Sequence, residues 1–291
     1  MKVGISLPCA GQIVSADAMY RSARLAEDGG LDSLWSVDRI IGPVDLKSRY
    51  PYTPDGRTRR VPTDSRLDPF ASLAVIAGAT SRIALGTGVA NIPYRDPITT
   101  AKVVATIDVL SRGRMILGAG LGWMQEEFDI LHVPYAERAA RTEEYLAICK
   151  VLWTEEYPSY AGKFFQFSDI KFEPKPAQRP HPPIWIGGYS EPAIRRALRI
   201  GDGWHPSRLT PEAFAERMQS FRRHAAESGR DLSTFSVSVK VGFDICPSAD
   251  VAQQYRDLGV QHLVIDFWTD ELDQLLREVE FVADKIAPVV R

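Results

Sequence analysis

The chain of 291 residues has room for one large domain or two small ones, and an α/β barrel with insertions falls in this range. Hydrophobic residues make up 45% and charged residues 25%, as in a globular protein with a large core, and a formal net charge of -2 gives no reason to expect nucleic-acid binding. Three widely spaced cysteines outside any C-x-x-C pattern imply neither a disulfide framework nor a zinc site, so no metal is predicted.

The amino terminus is typical of a strand and not of an export signal. Residues 1–8 lack the long apolar core of a signal peptide, and no later run approaches the roughly 18 apolar residues of a membrane helix. The cysteine pattern also suits a reducing compartment. We therefore expect a cytoplasmic protein with no membrane segment.

Strands and helices alternate from the start of the chain. The sequence predicts a strand over Lys2–Leu7, a helix over Ser15–Gly29 and a second strand over Leu31–Trp35. Asp38 and Arg39 follow at once, where a barrel strand delivers side chains to the active face. The two residues are candidates for chemistry or for a buried ion pair.

A long loop is predicted over residues 41–67, because this segment is rich in proline and charged residues and has no sustained period. Loops of this length inside compact domains are uncommon and are usually lids or binding loops. An exposed, solvated insertion is the alternative. A capped helix over Phe70–Ala79 follows the loop.

The stretch Arg82–Trp123 is the centre of the predicted fold, because it is typical of one strand–helix–strand unit. Its strands, Ile83–Leu85 and Met115–Leu117, are apolar without alternation, as in a parallel sheet covered on both faces. A helix capped by Asp96 joins them. Each strand ends in glycines, which permit a sharp bend or the close approach of a flat ligand. The unit therefore predicts a ligand-binding surface at the carboxyl ends of the strands.

The next segment combines a helix with an insertion. A loop containing His132 precedes an amphipathic helix over Ala136–Trp153. Arg138 and Arg141 lie three residues apart and so share one face of this helix, although solvated surface arginines are the more common case. Residues 157–172 predict a β-hairpin inserted between barrel units.

The stretch Pro183–Ser190 predicts another strand that ends in glycines, and a helix over Glu191–Arg199 follows it at once. The turn Gly187-Gly188-Tyr189-Ser190 supplies backbone N–H groups, a hydroxyl and the positive end of the following helix dipole, which is what a phosphate needs. By itself such a turn is moderately specific.

The remaining chain continues the alternation of strands and helices. The predicted elements are a short strand over Gly201–His205, a helix over Pro211–Ser228, a strand over Phe235–Ile245, a helix over Asp250–Leu258, a strand over His262–Asp266 and a helix over Glu271–Ala287. The pattern amounts to roughly eight βα units with no composition break. We therefore predict one domain over residues 1–291, a (β/α)₈ TIM barrel with insertions.

Several motifs resemble those of one protein family. They are Gly4–Pro8, Trp35–Asp38, Ser48–Gly56, Gly86–Val89 and Leu110–Arg114, together with two more specific clusters, Leu117–Phe128 and Pro180–Gly188, and Gly203-Trp204 beyond them. In these motifs the chain resembles the bacterial luciferase-like monooxygenases and, within them, the deazaflavin (coenzyme F420) dependent oxidoreductases. The resemblance is dense up to residue 206 and is one of pattern only beyond it.

The resemblance implies a luciferase-like barrel with a flavin or deazaflavin ring across the carboxyl ends of the strands. It also implies a non-proline cis peptide between Gly88 and Val89, and a phosphate seat on Gly187, Gly188 and Ser190 with Arg138 or Arg141 as countercharge. The cofactor-binding residues expected on this basis are Ser6, Asp38, Gly86, Thr87, Gly88, Val89, Gly120, Gly122, Trp123, Arg138, Arg141, Gly187, Gly188, Tyr189 and Ser190.

The catalytic residues are less well defined by the resemblance. Asp38 matches the family's second-strand aspartate, but Arg39 stands where many deazaflavin enzymes have a histidine that handles a proton. If a proton is moved, the candidates are His205, His132 and Asp38.

The leading functional hypothesis is an oxidoreductase that uses reduced coenzyme F420 for hydride transfer to or from a small organic substrate. The alternatives are an FMN-dependent monooxygenase and a non-catalytic flavin- or deazaflavin-binding barrel. An aromatic wall of Trp35, Trp123, Tyr189 and Trp204 favours a hydrophobic substrate, although core tryptophans are more common. The expected partners are a second copy in a homodimer and a separate cofactor reductase.

Overall fold

A computed structural model of the protein describes residues 1–53, 55–58 and 63–291. Residues 54 and 59–62, which belong to the predicted loop 41–67 and include one position of the Ser48–Gly56 motif, lie outside the described residues. In chain order the strands are β1 Lys2–Ser6, β2 Ser33–Ser36, β3 Ala84–Thr87, β4 Ala90–Asn91, β5 Met115–Gly120, β6 Tyr160–Ala161, β7 Gln166–Phe167, β8 Ile184–Gly187, β9 Gly203–His205, β10 Ser236–Gly242 and β11 His262–Asp266.

The α-helices lie between these strands, and five of the ten described helices begin where a side-chain oxygen caps the first turn. Ser15, Asp68, Asp96, Thr210 and Ser248 each accept a hydrogen bond from a backbone N–H of the helix that they precede. The helices are α1 Ala16–Asp28, α2 Pro69–Ala79, α3 Pro97–Leu110, α4 Gln125–Ile130, α5 Arg138–Thr154, α6 Glu191–Ile200, α7 Pro211–Ser228, α8 Ala249–Asp257, α9 Leu272–Phe281 and α10 Ala287–Val290.

Eight parallel strands close into a barrel, which confirms the predicted fold class. Around the barrel the order is β1, β2, β3, β5, β8, β9, β10, β11, and β11 pairs with β1 through Ile265 and Ile5. The strands are apolar without alternation because side chains on one face fill the barrel and those on the other pack under helices. The carboxyl ends of all eight strands therefore meet at one rim.

The insertions and the last helix differ in detail from the predictions. The hairpin within residues 157–172 is present but short, because only β6 and β7 pair, and the backbone N–H groups of Lys163, Phe164 and Phe165 bind the Glu144 carboxylate instead. The predicted helix Glu271–Ala287 contains a π-helical turn at Val282–Ile286. Among the described residues, no helix is both long enough and apolar enough to cross a membrane.

Candidate active site

The chain after β3 forms a bulge at the carboxyl rim of the barrel. The Gly88–Val89 peptide is cis, as expected from the resemblance. The Thr87 hydroxyl donates to the Gly118 carbonyl oxygen at 2.7 Å, and the Lys240 ammonium lies 3.3 Å from the Gly88 carbonyl oxygen. The neighbouring strand β5 and the strand β10, on the opposite side of the barrel, therefore both contact the bulge.

The strand-end glycines make room for this bulge. A Cβ atom at Gly118 would lie 1.8 Å from the Thr87 carbonyl oxygen, and one at Gly120 would lie 2.4 Å from a methyl group of Val89. A Cβ at Gly86 would meet the Trp35 ring at 2.4 Å. The sequence left two roles open for the strand-end glycines, a sharp bend or the close approach of a ligand. At Gly86, Gly118 and Gly120 the structure shows the close approach of other parts of the protein.

A cavity of about 190 Å³ opens at this rim, at the position that the barrel fold predicts for a ligand site. Of the predicted site residues it is lined by Ser6, Asp38, Arg39, Gly88, Val89, Trp123, Gly187, Gly188 and His205. Gly86, Thr87, Gly120 and Gly122 lie behind this surface, where they support the bulge and the Trp123 turn. Tyr189 and Ser190 follow the lining residue Gly188 directly in the chain.

Asp38 is the anion of a buried ion pair. Its side chain is fully buried, and its two oxygens accept hydrogen bonds from Arg95 at 2.8 and 2.9 Å. The backbone N–H of Asn91, directly after the bulge, donates to the same carboxylate at 2.7 Å. Of the two interpretations of Asp38, the structure shows the ion pair, and the pair fixes the chain that leaves the bulge.

His205 is a buried neutral base at the bottom of the cavity. Its Nδ1 atom lies 2.5 Å from the Ser238 hydroxyl, its ring stacks on Trp35 at 4.7 Å, and its Nε2 atom has no hydrogen-bond partner among the described residues. Burial, followed by the charge of Lys240, lowers the pKa of His205 to about 3. A neutral imidazole with one unoccupied nitrogen can bind and polarise a substrate oxygen.

His262 is a second buried histidine, but it lies outside the cavity. One ring nitrogen lies 2.6 Å from the Ser33 hydroxyl, and burial lowers the pKa of His262 to about 3 as well. It is therefore a matched comparison for His205, because it has the same protonation behaviour without a place in the cavity.

These two histidines predict acid sensitivity. Both have folded pKa values below the ordinary value of 6.5, so their contribution to stability is complete above pH 6.5 and is lost as the pH falls towards 3. We expect each histidine to account for about 2 kcal/mol of lost unfolding free energy at about pH 5. Urea unfolding of the wild type and of His262→Gln at neutral pH and at this pH would measure the difference. An unchanged pH dependence in the variant would contradict the prediction.

An aromatic roof, defined here as Trp123, Tyr50, Tyr52 and Tyr189, covers part of the cavity mouth. Successive ring centroids in this series are 5.1, 5.3 and 5.4 Å apart, and the Tyr189 hydroxyl donates to the Pro51 carbonyl oxygen at 3.1 Å. The described part of the predicted loop 41–67 therefore closes over the site as a lid, one of the two interpretations of this loop.

Two carboxylates of α4 hold the lid in place. Glu126 accepts hydrogen bonds from the backbone N–H groups of Lys47 and Ser48 at 2.7 and 2.8 Å. Glu127 accepts from those of Ile40 and Ile41 at 2.8 and 3.2 Å, and burial raises its pKa. The sequence motif Leu117–Phe128 therefore has two roles. It contains the end of β5, and through Glu126 and Glu127 it also holds the lid in position.

Three predicted site residues lie away from the cavity. His132 is exposed in a turn with φ of 57° and does not line the cavity, so it is not placed to handle a proton. Arg138 donates to the Tyr135 carbonyl oxygen and lies over the Tyr135 ring. Arg141 binds Glu137 and the Tyr145 hydroxyl. Both arginines bind groups of their own helix region and neither lines the cavity, so neither is placed beside it as the phosphate countercharge.

The predicted aromatic wall is also only partly present. Trp35 fills the barrel interior. Trp204 is buried between side chains of α7, and its indole N–H donates a hydrogen bond to the Gly188 carbonyl oxygen at 2.8 Å. Trp123 and Tyr189 belong to the roof. Five residues at the site were not among the predicted ones: Tyr50, Tyr52, Arg66, Ser238 and Lys240. Of these, only the two tyrosines lie in a motif, Ser48–Gly56, that resembles the family.

Comparisons with known proteins agree with this barrel. The profile of the luciferase-like monooxygenase family matches residues 1–281. An uncharacterised protein of Mycobacterium tuberculosis is 33% identical over 272 residues, which cover 91% of this chain and 93% of that protein. The FMNH(2)-dependent dimethylsulfone monooxygenase of Pseudomonas putida is 32% identical over 215 residues, which cover 72% of this chain and 57% of that enzyme.

A solved structure shows the same fold at lower sequence identity. An F420-dependent secondary alcohol dehydrogenase in complex with an F420-acetone adduct superposes with a TM-score of 0.78 and 16% identity, over 100% of this chain and 99% of that one. The fold, the cis peptide at the rim and the match over nearly the whole sequence agree with one another. The chain belongs to the luciferase-like monooxygenase family.

Proposed function

We propose that the protein is an oxidoreductase that uses reduced coenzyme F420 for hydride transfer to or from a small organic substrate. The observation that carries the proposal is the cavity at the carboxyl rim, which has the Gly88–Val89 bulge and the neutral His205 in its lining. The deazaflavin supplies the two-electron hydride chemistry when it is bound, and the protein supplies position, a dry pocket and a polar contact for the substrate oxygen.

The residues of the cavity fit a ring cofactor. Two buried polar atoms that line it, Ser6 Oγ and His205 Nε2, have no hydrogen-bond partner among the described residues, and buried polar groups are normally paired. The bulge presents backbone and a small side chain where a flat ring would lie. Ser6 and His205 therefore offer hydrogen bonds to groups on the cofactor or the substrate.

The phosphate seat fits at the start of α6. Gly188 has φ of 91°. Ser190 is exposed, and its hydroxyl oxygen accepts no hydrogen bond from the backbone N–H groups of the helix that it precedes. Glu191 is held by Ser220 and His224, and Arg217 lies 5.7 Å from the Tyr189 ring. We infer that Arg217 takes the place of Arg138 and Arg141 as the countercharge.

His205 would act through its unoccupied Nε2 atom. The Ser238 hydroxyl holds the other ring nitrogen, and Trp35 holds the plane of the ring, so Nε2 has one orientation. Because the imidazole is neutral, it can donate a hydrogen bond to a carbonyl oxygen or accept one from a hydroxyl, depending on its tautomer. This contact suits either direction of hydride transfer.

The FMN alternative is supported by a specific finding, the 32% identity to the FMNH(2)-dependent enzyme of Pseudomonas putida. The same cavity would serve a monooxygenase, because exclusion of water also protects reactive flavin intermediates. The choice between the two cofactors therefore requires a binding measurement.

Titration of the purified protein with coenzyme F420 and with FMN, followed by fluorescence, tests the proposal. We expect tighter binding of F420, and Ser190→Ala should weaken it about threefold to tenfold without lowering the melting temperature. Ser190 is preferable to Gly188, whose positive φ would strain any side chain and confound the result. Equal affinities, or tighter binding of FMN, would reject coenzyme F420 as the cofactor. If the protein binds reduced cofactor but no acceptor oxidises it, the non-catalytic barrel is favoured.

A further inference from the structure

Three arginines that line the cavity have no polar partner among the described residues. They are Arg39, Arg66 and Arg208, and at least one buried guanidinium nitrogen of each makes no hydrogen bond within the described part of the chain. Within residues 1–53, 55–58 and 63–291, none of the three side chains makes a hydrogen bond or an ion pair. Buried guanidinium groups are normally paired, because removal from water is costly for an isolated charge.

The three charges act on one region of the cavity. Burial and then the charge of Arg66 lower the pKa of Arg39, which shows that these two cations are near each other. Burial raises the pKa of the Tyr50 phenol to about 12, and the charges of Arg208, Arg39 and Arg66 all oppose that rise. The three arginines therefore line the same cavity as Tyr50, and their charges act on the same phenol.

Each arginine is held in position by an apolar or backbone contact. Arg39 lies over the Trp123 ring at 5.7 Å, and Arg208 lies over the Trp268 ring at 5.2 Å. Arg208 also has φ of 59°, a conformation that is costly for a residue with a side chain and is typical of functional sites. Arg66 belongs to a β-bridge with Ala10. Their positions are thus set without an anion.

The nearby acidic groups are already engaged. Asp38 is paired with Arg95, and Asp266 lies 3.4 Å from the Lys240 ammonium. Glu127, whose charge acts on Arg39, accepts backbone N–H groups of the lid. No carboxylate of the described residues forms an ion pair with the three arginines, and the described lining contains Arg39, Arg66, Arg208 and Lys240 against Asp38 and Asp266, so it carries excess positive charge.

We propose that the substrate of this enzyme carries a carboxylate, which binds to Arg39 and Arg66 with Arg208 completing the anion site. A guanidinium fork matches the two oxygens of a carboxylate, and Trp123 offers an apolar face to the rest of the molecule. This inference rests on the proposed function, since it names the substrate class for the same cavity. The sequence favoured a hydrophobic substrate, and the arginines refine this expectation to an organic acid whose remaining part is apolar.

A cofactor phosphate is the other source of the same anionic chemistry. The proposed phosphate seat follows β8, whereas Arg39 follows β2 and Arg66 pairs beside the end of β1, on the opposite side of the barrel order. Arg208 follows β9, which neighbours β8, so the separation from the phosphate seat depends on Arg39 and Arg66. We therefore assign the arginines to the substrate, and the experiment separates the two sources.

Calorimetric titration with benzoate, and with benzamide as a neutral analogue of the same shape, tests the assignment. We expect benzoate to bind the wild type and benzamide to bind at least about tenfold more weakly. Arg39→Gln and Arg66→Gln should each weaken benzoate binding about tenfold, whereas Arg24→Gln, an exposed arginine on α1, should leave it unchanged. Equal binding of benzoate and benzamide would overturn the proposal.

Two further measurements keep the result interpretable. Both arginine variants should keep wild-type affinity for F420 or FMN, and a parallel loss of cofactor affinity would assign the anion site to the cofactor and overturn the proposal. Their melting temperatures should equal or exceed that of the wild type, because each removes a partly buried charge that has no partner among the described residues. A lower melting temperature with unchanged benzoate affinity would show a structural role instead. A wild type that binds benzoate but neither cofactor would reject the proposed function alone.

Discussion

Replacing Gly118 with alanine is expected to destabilise the protein by about 3 kcal/mol or more. The new Cβ would lie 1.8 Å from the Thr87 carbonyl oxygen, and this oxygen belongs to backbone that cannot rotate away. Relief of the contact requires movement of the bulge that follows β3. The change should therefore lower both the urea midpoint of unfolding and the cofactor affinity of the protein that remains folded.

Gly78 provides the matched control for this substitution. It is an exposed glycine in α2, and a Cβ there would meet nothing within 4 Å. Gly78→Ala should raise the unfolding free energy by about 0.5 to 1 kcal/mol, since alanine is the better helix former. If Gly118→Ala had wild-type stability and cofactor affinity, the role of the glycines in making room for the bulge would be wrong.

Replacing Asp38 with asparagine is expected to cost about 3 kcal/mol of unfolding free energy. The substitution keeps the size of the side chain but removes the negative charge that pairs with Arg95. The Asp38 carboxylate is fully buried, so water cannot replace the lost interaction. It also weakens the acceptor for the Asn91 N–H group, so the chain after the bulge loses its anchor. Chemical denaturation of the variant would measure the loss directly.

An exposed pair in α1 serves as the comparison for Asp38. Asp17 and Arg21 lie 3.3 Å apart with both side chains at least half exposed, so Asp17→Asn should cost less than about 1 kcal/mol. A catalytic role for Asp38 predicts a different outcome. In that case Asp38→Asn would keep nearly all of its stability and lose turnover, and the assignment to an ion pair would fail.

The barrel and much of its rim could be predicted from local sequence signals. Apolar runs without alternation mark the parallel strands, capping residues such as Asp68 and Asp96 mark helix starts, and Gly188 marks the turn before α6. These signals are local because each depends on the conformation of a few consecutive residues. The cis peptide at Gly88 came from family resemblance and not from any local rule.

The partners of polar and small residues could not be predicted in this way. Arg138 and Arg141 lie on one helix face, as their spacing predicts, but they bind Tyr135 and Glu137 close by in the chain. The charged residues at the rim come instead from distant parts of the chain: Arg66, Arg95 and Lys240. The burial that makes His205 neutral likewise arises from several strands at once. The sequence by itself therefore determined the order of strands and helices and the end of the barrel that holds the site. Only the tertiary structure decided which charges are paired and which remain for a ligand, because pairing depends on contacts between residues far apart in sequence.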